Sequence, residues 1–261
     1  MPYRILIAER DFSERAKKIL AETGDVFDFI STSVFLKNLP LADVVVTGLE
    51  MKFDKEIISS AKMLKLIGSR TTQLRYLDLD ECSKKNIKVV NIKADSPVLR
   101  KTFSTAEETI ALILSLLRNI PYAFDSIKHG EWDRKKYAGL ELNGKVLGLV
   151  GFGRLGRMVA RYARAFGMEI LAHFPFVGVL EMKRKYVKKV GLDEVFKKSD
   201  IVSLHAVYNY STLGMLKEKH FKLMKPTAIF VNTARGEITD ETALLKALGK
   251  KWIYGAALDT L

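Results

Sequence analysis

Residues 145–156 read KVLGLVGFGRLG, and this stretch decides the fold. An apolar run of strand character passes into Gly151-Phe152-Gly153-Arg154-Leu155-Gly156, and a helical pattern follows from Arg157 to Phe166. A G-x-G-x-x-G alone is common by chance. Placed between a buried strand and a helix, it is a dinucleotide fingerprint. Gly151 permits the tight turn, Gly153 lets the backbone approach a pyrophosphate, and Gly156 lets the helix pack closely on the strand. The N–H groups that open the helix, from Arg154 and Leu155 onward, then face the phosphate charge.

The α/β rhythm extends outward in both directions. On the C-terminal side, strand-like runs at 169–172, 201–204, 228–231 and 252–258 alternate with helical stretches at 192–198, 217–224 and 240–248. On the N-terminal side, strand-like runs at 5–8, 26–30, 43–47, 64–67 and 88–91 alternate with helical spacing at 12–22 and 77–85. Strands separated by short helices imply parallel sheets covered on their faces. Ala94-Asp95-Ser96-Pro97 breaks the pattern and marks a domain boundary. A long helix over 104–119 follows; Pro121 interrupts the pattern, which resumes at 122–129. The sequence has no low-complexity segment and no convincing internal repeat.

Composition bounds the function. The 261 residues suffice for two modest domains. The single cysteine, Cys82, excludes an internal disulfide and fits a reducing, cytoplasmic setting. The four histidines lack metal-ligand spacing, so no metal is expected. No apolar run reaches membrane-spanning length. The formal charge of +13 suits either a nucleic-acid surface or a solvated face that attracts small anions. No nucleic-acid motif accompanies the charge, so the second reading is preferred.

The ordered segments STAEETIALILSLLRNIP, HGEWDRKKYAGLELNGKVLGLVGFGRLGRMVARYARAFGM, LMKPTAIFVNTARGEITDETALLKAL and IYGAALD resemble the D-isomer-specific 2-hydroxyacid dehydrogenase family. SRTTQLRYLDLDECSKKNIKVVN is similar to the same family. The resemblance implies two α/β domains: a flavodoxin-like substrate domain over 1–96 and a Rossmann doubly wound parallel-sheet cofactor domain over 97–261. It implies hydride transfer between NAD or NADP (NAD slightly ahead) and C2 of a small anionic 2-hydroxy or 2-keto acid. It also implies a homodimer formed through the cofactor domain.

The same resemblance assigns residues. Arg235 matches the substrate arginine, whose planar guanidinium grips a carboxylate with two parallel hydrogen bonds and polarises the neighbouring carbonyl. Thr72, Gln73 and Leu74 match the loop that approaches the nicotinamide and the substrate carboxylate, with Gln73 standing where the family often has glycine. Thr233 and Ala234 border the nicotinamide ribose, and His205 and Ala206 lie near the same cofactor. Val207 replaces a usual proline, and Asp259 matches the aspartate that bonds the carboxamide.

Two departures qualify the enzyme reading. Phe174 occupies the place of the aspartate that holds the adenosine ribose in NAD-dependent members, and no arginine follows directly to attract a 2′-phosphate. The family's catalytic histidine and its paired glutamate lie beyond the Leu-Asp motif, and the sequence stops two residues after Asp259. The expectation is a C-terminally shortened member, with the strand at 252–258 as an unpaired edge, an uncovered apolar face on the substrate domain, and impaired turnover. The alternative is a dinucleotide-binding sensor or scaffold without catalysis.

Overall fold

The computed structural model describes residues 2–93, 96–176 and 178–260. The chain divides into two compact units, Met1–Ser96 and Pro97–Leu261. Of the boundary residues expected from sequence, Ala94 and Asp95 lie outside the described residues.

The first unit runs β1 (Tyr3–Ile7), α1 (Glu14–Ala21), β2 (Gly24–Phe27), α2 (Thr32–Asn38), β3 (Val44–Thr47), α3 (Lys55–Ser60), β4 (Leu66–Ser69), α4 (Leu79–Lys84) and β5 (Lys88–Asn91). All strand pairs are parallel, in the order β2-β1-β3-β4-β5. This is the flavodoxin-like order, with its switch between β1 and β3. Side-chain caps start three of the helices. Ser31 Oγ accepts from the Val34 amide, Asp54 Oδ1 from Ile57 and Asp78 Oδ1 from Glu81. The core gathers Leu6, Phe35, Val45, Phe53, Ile58 and Ile67.

The second unit runs α5 (Pro97–Arg100), α6 (Ser104–Leu117), α7 (Ile120–Lys128), β6 (Val146–Val150), α8 (Arg154–Ala165), β7 (Glu169–His173), α9 (Val179–Arg184), β8 (Lys188–Lys189), α10 (Leu192–Lys198), β9 (Ile201–Leu204), α11 (Glu218–Leu223), β10 (Ile229–Asn232), α12 (Glu241–Gly249) and β11 (Gly255–Leu258). Its parallel sheet has the order β11-β10-β9-β6-β7-β8. Counted within the unit, that is the doubly wound Rossmann order, with its switch between β6 and β9. The central strands β9 and β10 are buried along their whole length, as strands covered on both faces must be. One face packs Leu147, Leu149 and Val231 under α6 and α8. The other packs Val202, Leu204 and Phe230 under α10, α11 and α12.

Several boundaries differ from the sequence reading. Pro121 sits in the first turn of α7, where its missing N–H costs nothing; the break before it is made by Asn119 in the left-handed region at φ 55°. The final strand is shorter than 252–258, since 252–254 form a turn and only Gly255–Leu258 pairs with β10. Among the described residues no single helix is long and apolar enough to cross a membrane. The apolar stretch from Pro97 to Lys128 is bent by 62°, and Ala106, Ile113 and Leu117 on its inner face belong to the core.

Phe221 is the keystone of the second core. It meets Phe196 at 6.1 Å and Phe230 at 5.4 Å, both edge-on. Phe221→Ala is expected to lower unfolding free energy by about 3–5 kcal/mol, read by urea titration.

Candidate functional site

The carboxyl end of the six-stranded sheet collects most of the residues that sequence singled out. Gly151 follows β6 with φ +105°, a conformation open to glycine. A Cβ there would lie 2.5 Å from the His205 carbonyl carbon and 2.6 Å from the Ala206 nitrogen. The turns after β6 and β9 therefore touch backbone to backbone at the switch point. Gly156 meets the same turn from the other side, since a Cβ on it would stand 2.5 Å from the Gly151 oxygen. Gly153 is different: a Cβ there would meet nothing within 4 Å. The helix start is thus open above Gly153.

Gly153 is the N-cap of α8 and supplies no side-chain cap. The first turn closes only with the Arg157 amide on the Gly153 carbonyl at 3.1 Å. The amides of Arg154, Leu155 and Gly156 precede that bond, so they face outward without helical acceptors. This ledge fits a diphosphate in both polarity and access. The Arg154 side chain turns away to the carbonyls of Leu99, at 2.9 Å, and Thr102, at 3.0 Å. It ties the segment before α6 to the start of α8. Sequence reasoning placed Arg154 in the motif but not this anchoring role.

His205 follows β9. Its Nε2 is 2.9 Å from Ser203 Oγ, and its Nδ1 is enclosed with no partner among the described residues. Burial pushes the imidazole down to about 4 from an ordinary 6.5, so it is neutral at neutral pH. Ala206 is partly buried beside it. Phe174 follows β7, packs partly into the core and meets the exposed Phe176 edge-on at 5.4 Å. Among the described residues that directly follow β7, none is acidic. Glu181, on α9, is paired with Arg157 at 2.8 Å.

The loop after β10 carries Thr233, Ala234 and Arg235. Asn232 shapes it: its Oδ1 accepts from the Ala234 amide at 2.9 Å, and its Nδ2 donates to the Arg235 carbonyl at 3.0 Å. Sequence reasoning passed over Asn232, although an Asn two residues before an expected site residue is a turn signal. Arg235 is partly buried. Its Nη1 donates to the Ala234 carbonyl at 2.6 Å. Among the described residues no carboxylate pairs with it. Asp259 follows β11, with an exposed side chain and its amide on the Asn232 carbonyl at 2.9 Å.

Thr72, Gln73 and Leu74 belong to the first unit, after β4. The Ser69 hydroxyl accepts from the Thr71 amide at 3.2 Å, and the Thr71 hydroxyl donates to the Gln73 carbonyl at 2.6 Å. Asn91 Nδ2 reaches the Thr72 carbonyl at 3.3 Å. The amides of Thr72 and Gln73 have no acceptor among the described residues, so the loop can offer them to an anion. The Gln73 Oε1 is enclosed with no partner among the described residues, and Leu74 packs onto the core. Beneath the loop, the buried Glu9 pairs with Arg70. Burial pushes the Glu9 carboxyl up, and the Arg70 charge opposes that shift.

Residues 110–261 match the family model described as D-isomer specific 2-hydroxyacid dehydrogenase, NAD binding domain. A D-3-phosphoglycerate dehydrogenase of Archaeoglobus fulgidus is 36% identical over 98% of this chain, and the match covers 48% of that protein. The chain thus spans about half the length of the curated relatives it first matches. A crystal structure of D-lactate dehydrogenase from Aquifex aeolicus, complexed with NAD and lactic acid, superposes with a TM-score of 0.84 at 31% identity. That match covers 99% of this chain and 77% of the other. An acyclic imino acid reductase in complex with NADPH and D-Arg superposes with a TM-score of 0.83 at 30% identity, covering 99% and 83%.

Two measurements probe the switch point. Gly153→Ala is expected to change stability by less than about 1 kcal/mol while weakening NADH binding at least tenfold, by about 1.4 kcal/mol or more. Gly156→Ala is expected to lose about 1–3 kcal/mol of stability as well, because backbone must move. The His205 shift also has a sign. Between about 6.5 and about 4 the unfolded chain binds the proton more tightly, so the stability present above that window is lost as pH falls through it. His220, also lowered by burial, adds to the same loss. Thermal melts across the window should therefore fall less steeply for His205→Gln than for the parent.

Proposed function

The chain belongs to the D-isomer-specific 2-hydroxyacid dehydrogenase family, and from that premise we propose that it binds a nicotinamide dinucleotide and a small 2-keto or 2-hydroxy acid for hydride transfer at C2. The observation that carries the reading is Arg235: a partly buried guanidinium at the same sheet end as the cofactor ledge, with no carboxylate of its own among the described residues. A partly desolvated cation with no counter-charge favours an anionic ligand that supplies one.

In this reading the second unit holds the dinucleotide and, through Arg235, the substrate carboxylate. The amides of Arg154 and Leu155 bind the diphosphate, with Gly151 and Gly156 bringing turn and helix together. His205, Ala206, Thr233, Ala234 and Asp259 line the nicotinamide end. Bound cofactor supplies or accepts the hydride. Arg235 binds the substrate carboxylate and polarises its keto oxygen. Within the first unit, the amides of Thr72 and Gln73 are donors to an anion in their own right. Candidate substrates are glyoxylate, pyruvate and hydroxypyruvate.

Phe174 governs the choice of dinucleotide. Without a carboxylate, the ribose diol loses a charge-assisted bond of about 1.5–3 kcal/mol, and a 2′-phosphate meets no repulsion there. NAD remains slightly ahead, with NADP tolerated. A homodimer through the second unit is favoured by the exposed Ile120, Tyr122, Phe124 and Ile127 along α7.

A second reading, binding without turnover, is favoured by one observation. The new hydroxyl needs a proton, and burial keeps the His205 imidazole at this strand end neutral, with its Nε2 2.9 Å from Ser203 Oγ.

Steady-state reduction of the three keto acids with NADH and NADPH, run beside nucleotide-fluorescence titration, separates the two readings. Cofactor binding with no detectable turnover supports the second, and no binding of either nucleotide sinks both. Where turnover occurs, Arg235→Gln is expected to lower kcat/KM on the order of a hundredfold, about 2.7 kcal/mol, with NADH affinity nearly unchanged. Phe174→Asp is expected to raise the preference for NADH over NADPH by about tenfold.

A further inference from the structure

Helix α6 turns Ala106, Thr109, Ile113 and Leu117 into the core of the second unit. Three of these are apolar; Thr109 is not, and it is fully buried. Its hydroxyl donates to the Thr105 carbonyl at 2.8 Å. It also lies 2.9 Å from the hydroxyl of Thr233, a residue 124 positions away and itself buried. A threonine hydroxyl carries one proton. Thr109 has used its proton on Thr105, so Thr233 is the donor and Thr109 the acceptor in the contact between them.

That direction matters because of where Thr233 sits. It is the first residue past β10 and two before Arg235. Asn232 pins its two neighbours on the C-terminal side, through the Ala234 amide and the Arg235 carbonyl. Both of those bonds are internal to the loop. The Thr109 contact ties the loop to helix α6, and it fixes the side chain at the point where the chain leaves the strand.

We propose that Thr109 is a positioning residue: acting through the Thr233 hydroxyl, it sets the place from which Arg235 presents its guanidinium to a substrate carboxylate. The proposal rests on the reading of Arg235 given above. A two-pronged arginine–carboxylate contact is strict in geometry, and a displacement of about 1 Å is enough to cost it most of its affinity. Removing the acceptor leaves the buried Thr233 proton unpaired. The Thr233 side chain must then turn to find another acceptor, and the residues that follow move with it.

The test uses the whole chain preloaded with NADH and titrated with oxamate, an unreactive carboxylate analogue of a keto acid. The readout is nucleotide fluorescence. Thr109→Val is expected to raise the oxamate Kd by about tenfold, and the NADH Kd by a clearly smaller factor of about threefold or less, because the diphosphate end of the dinucleotide rests on the α8 ledge and not on the Thr233 loop. Thr109→Ser, which keeps the acceptor, is expected to restore the oxamate Kd to within about twofold of the parent. Should Thr109→Val not fold, Thr109→Cys carries the same comparison with a small side chain and a poor acceptor. An oxamate Kd unchanged in the valine or cysteine variant overturns the positioning role and leaves the reading of Arg235 standing. A parent chain that binds NADH but not oxamate overturns that reading and this proposal together.

Discussion

Three backbone segments meet at one point in the second unit, and the site depends on their having no side chains between them. The turn after β6 touches the turn after β9 at Gly151, and α8 closes onto the same turn at Gly156. A methyl group at either place would push the segments apart by an ångström or more. The helix would then start farther from the sheet, and its opening amides would point elsewhere. Gly153 obeys the opposite condition. It faces open space, so it is spared for what approaches from outside rather than for internal fit. The fingerprint therefore contains two packing glycines and one access glycine.

The first unit solves a similar problem with charge. Its switch lies between β1 and β3, and there Gly48, just past β3, leaves room for the carboxylate of Glu9, which pairs with Arg70 past β4. A buried carboxylate is expensive, and burial indeed drives its proton affinity upward. The pair braces the start of the Ser69–Leu74 loop from below. The loop above it is then held by hydroxyls and an amide: Ser69, Thr71 and Asn91. None of those bonds consumes the amides of Thr72 and Gln73.

The sheets and their order were legible because apolar runs of four or five residues, separated by helical spacing, have few other folded solutions. The fingerprint was legible because strand, glycines and helix occur in one uninterrupted stretch. Short elements were harder. Helices α2 and α3 carry their apolar residues in consecutive runs, Val34-Phe35-Leu36 and Ile57-Ile58, so no helical spacing registers, though their caps Ser31 and Asp54 were visible signals. Strand β8 is two lysines, which the sequence presents as part of a basic cluster; at a sheet edge such charge is what keeps other strands away. Helix α8 begins three residues before its pattern does, because Arg154 and Gly156 hide the apolar face in its first turn. The site residues named by resemblance fall on strand ends, as strand-end chemistry requires. What resemblance could not supply was their fastening: Asn232 on its own loop, Arg154 on the carbonyls of Leu99 and Thr102, Thr109 beneath Thr233.

Those fastenings explain how an excess of positive charge becomes useful at one place. A chain at +13 attracts anions over its whole surface, but a mobile lysine in water distinguishes little between them. Selectivity needs a cation whose position is decided before the ligand arrives. Arg235 spends one donor on the Ala234 carbonyl just before it, which limits where its guanidinium can swing. The loop that carries it is closed by Asn232 and stands at the end of a strand buried on both faces. Ordering therefore falls on the fold and not on the ligand, and a small acid that arrives gains most of the interaction it makes. That preordering supports the proposed role of Arg235, which among the described residues has no carboxylate of its own, in a unit where other cations such as Arg157 and Lys225 have found theirs.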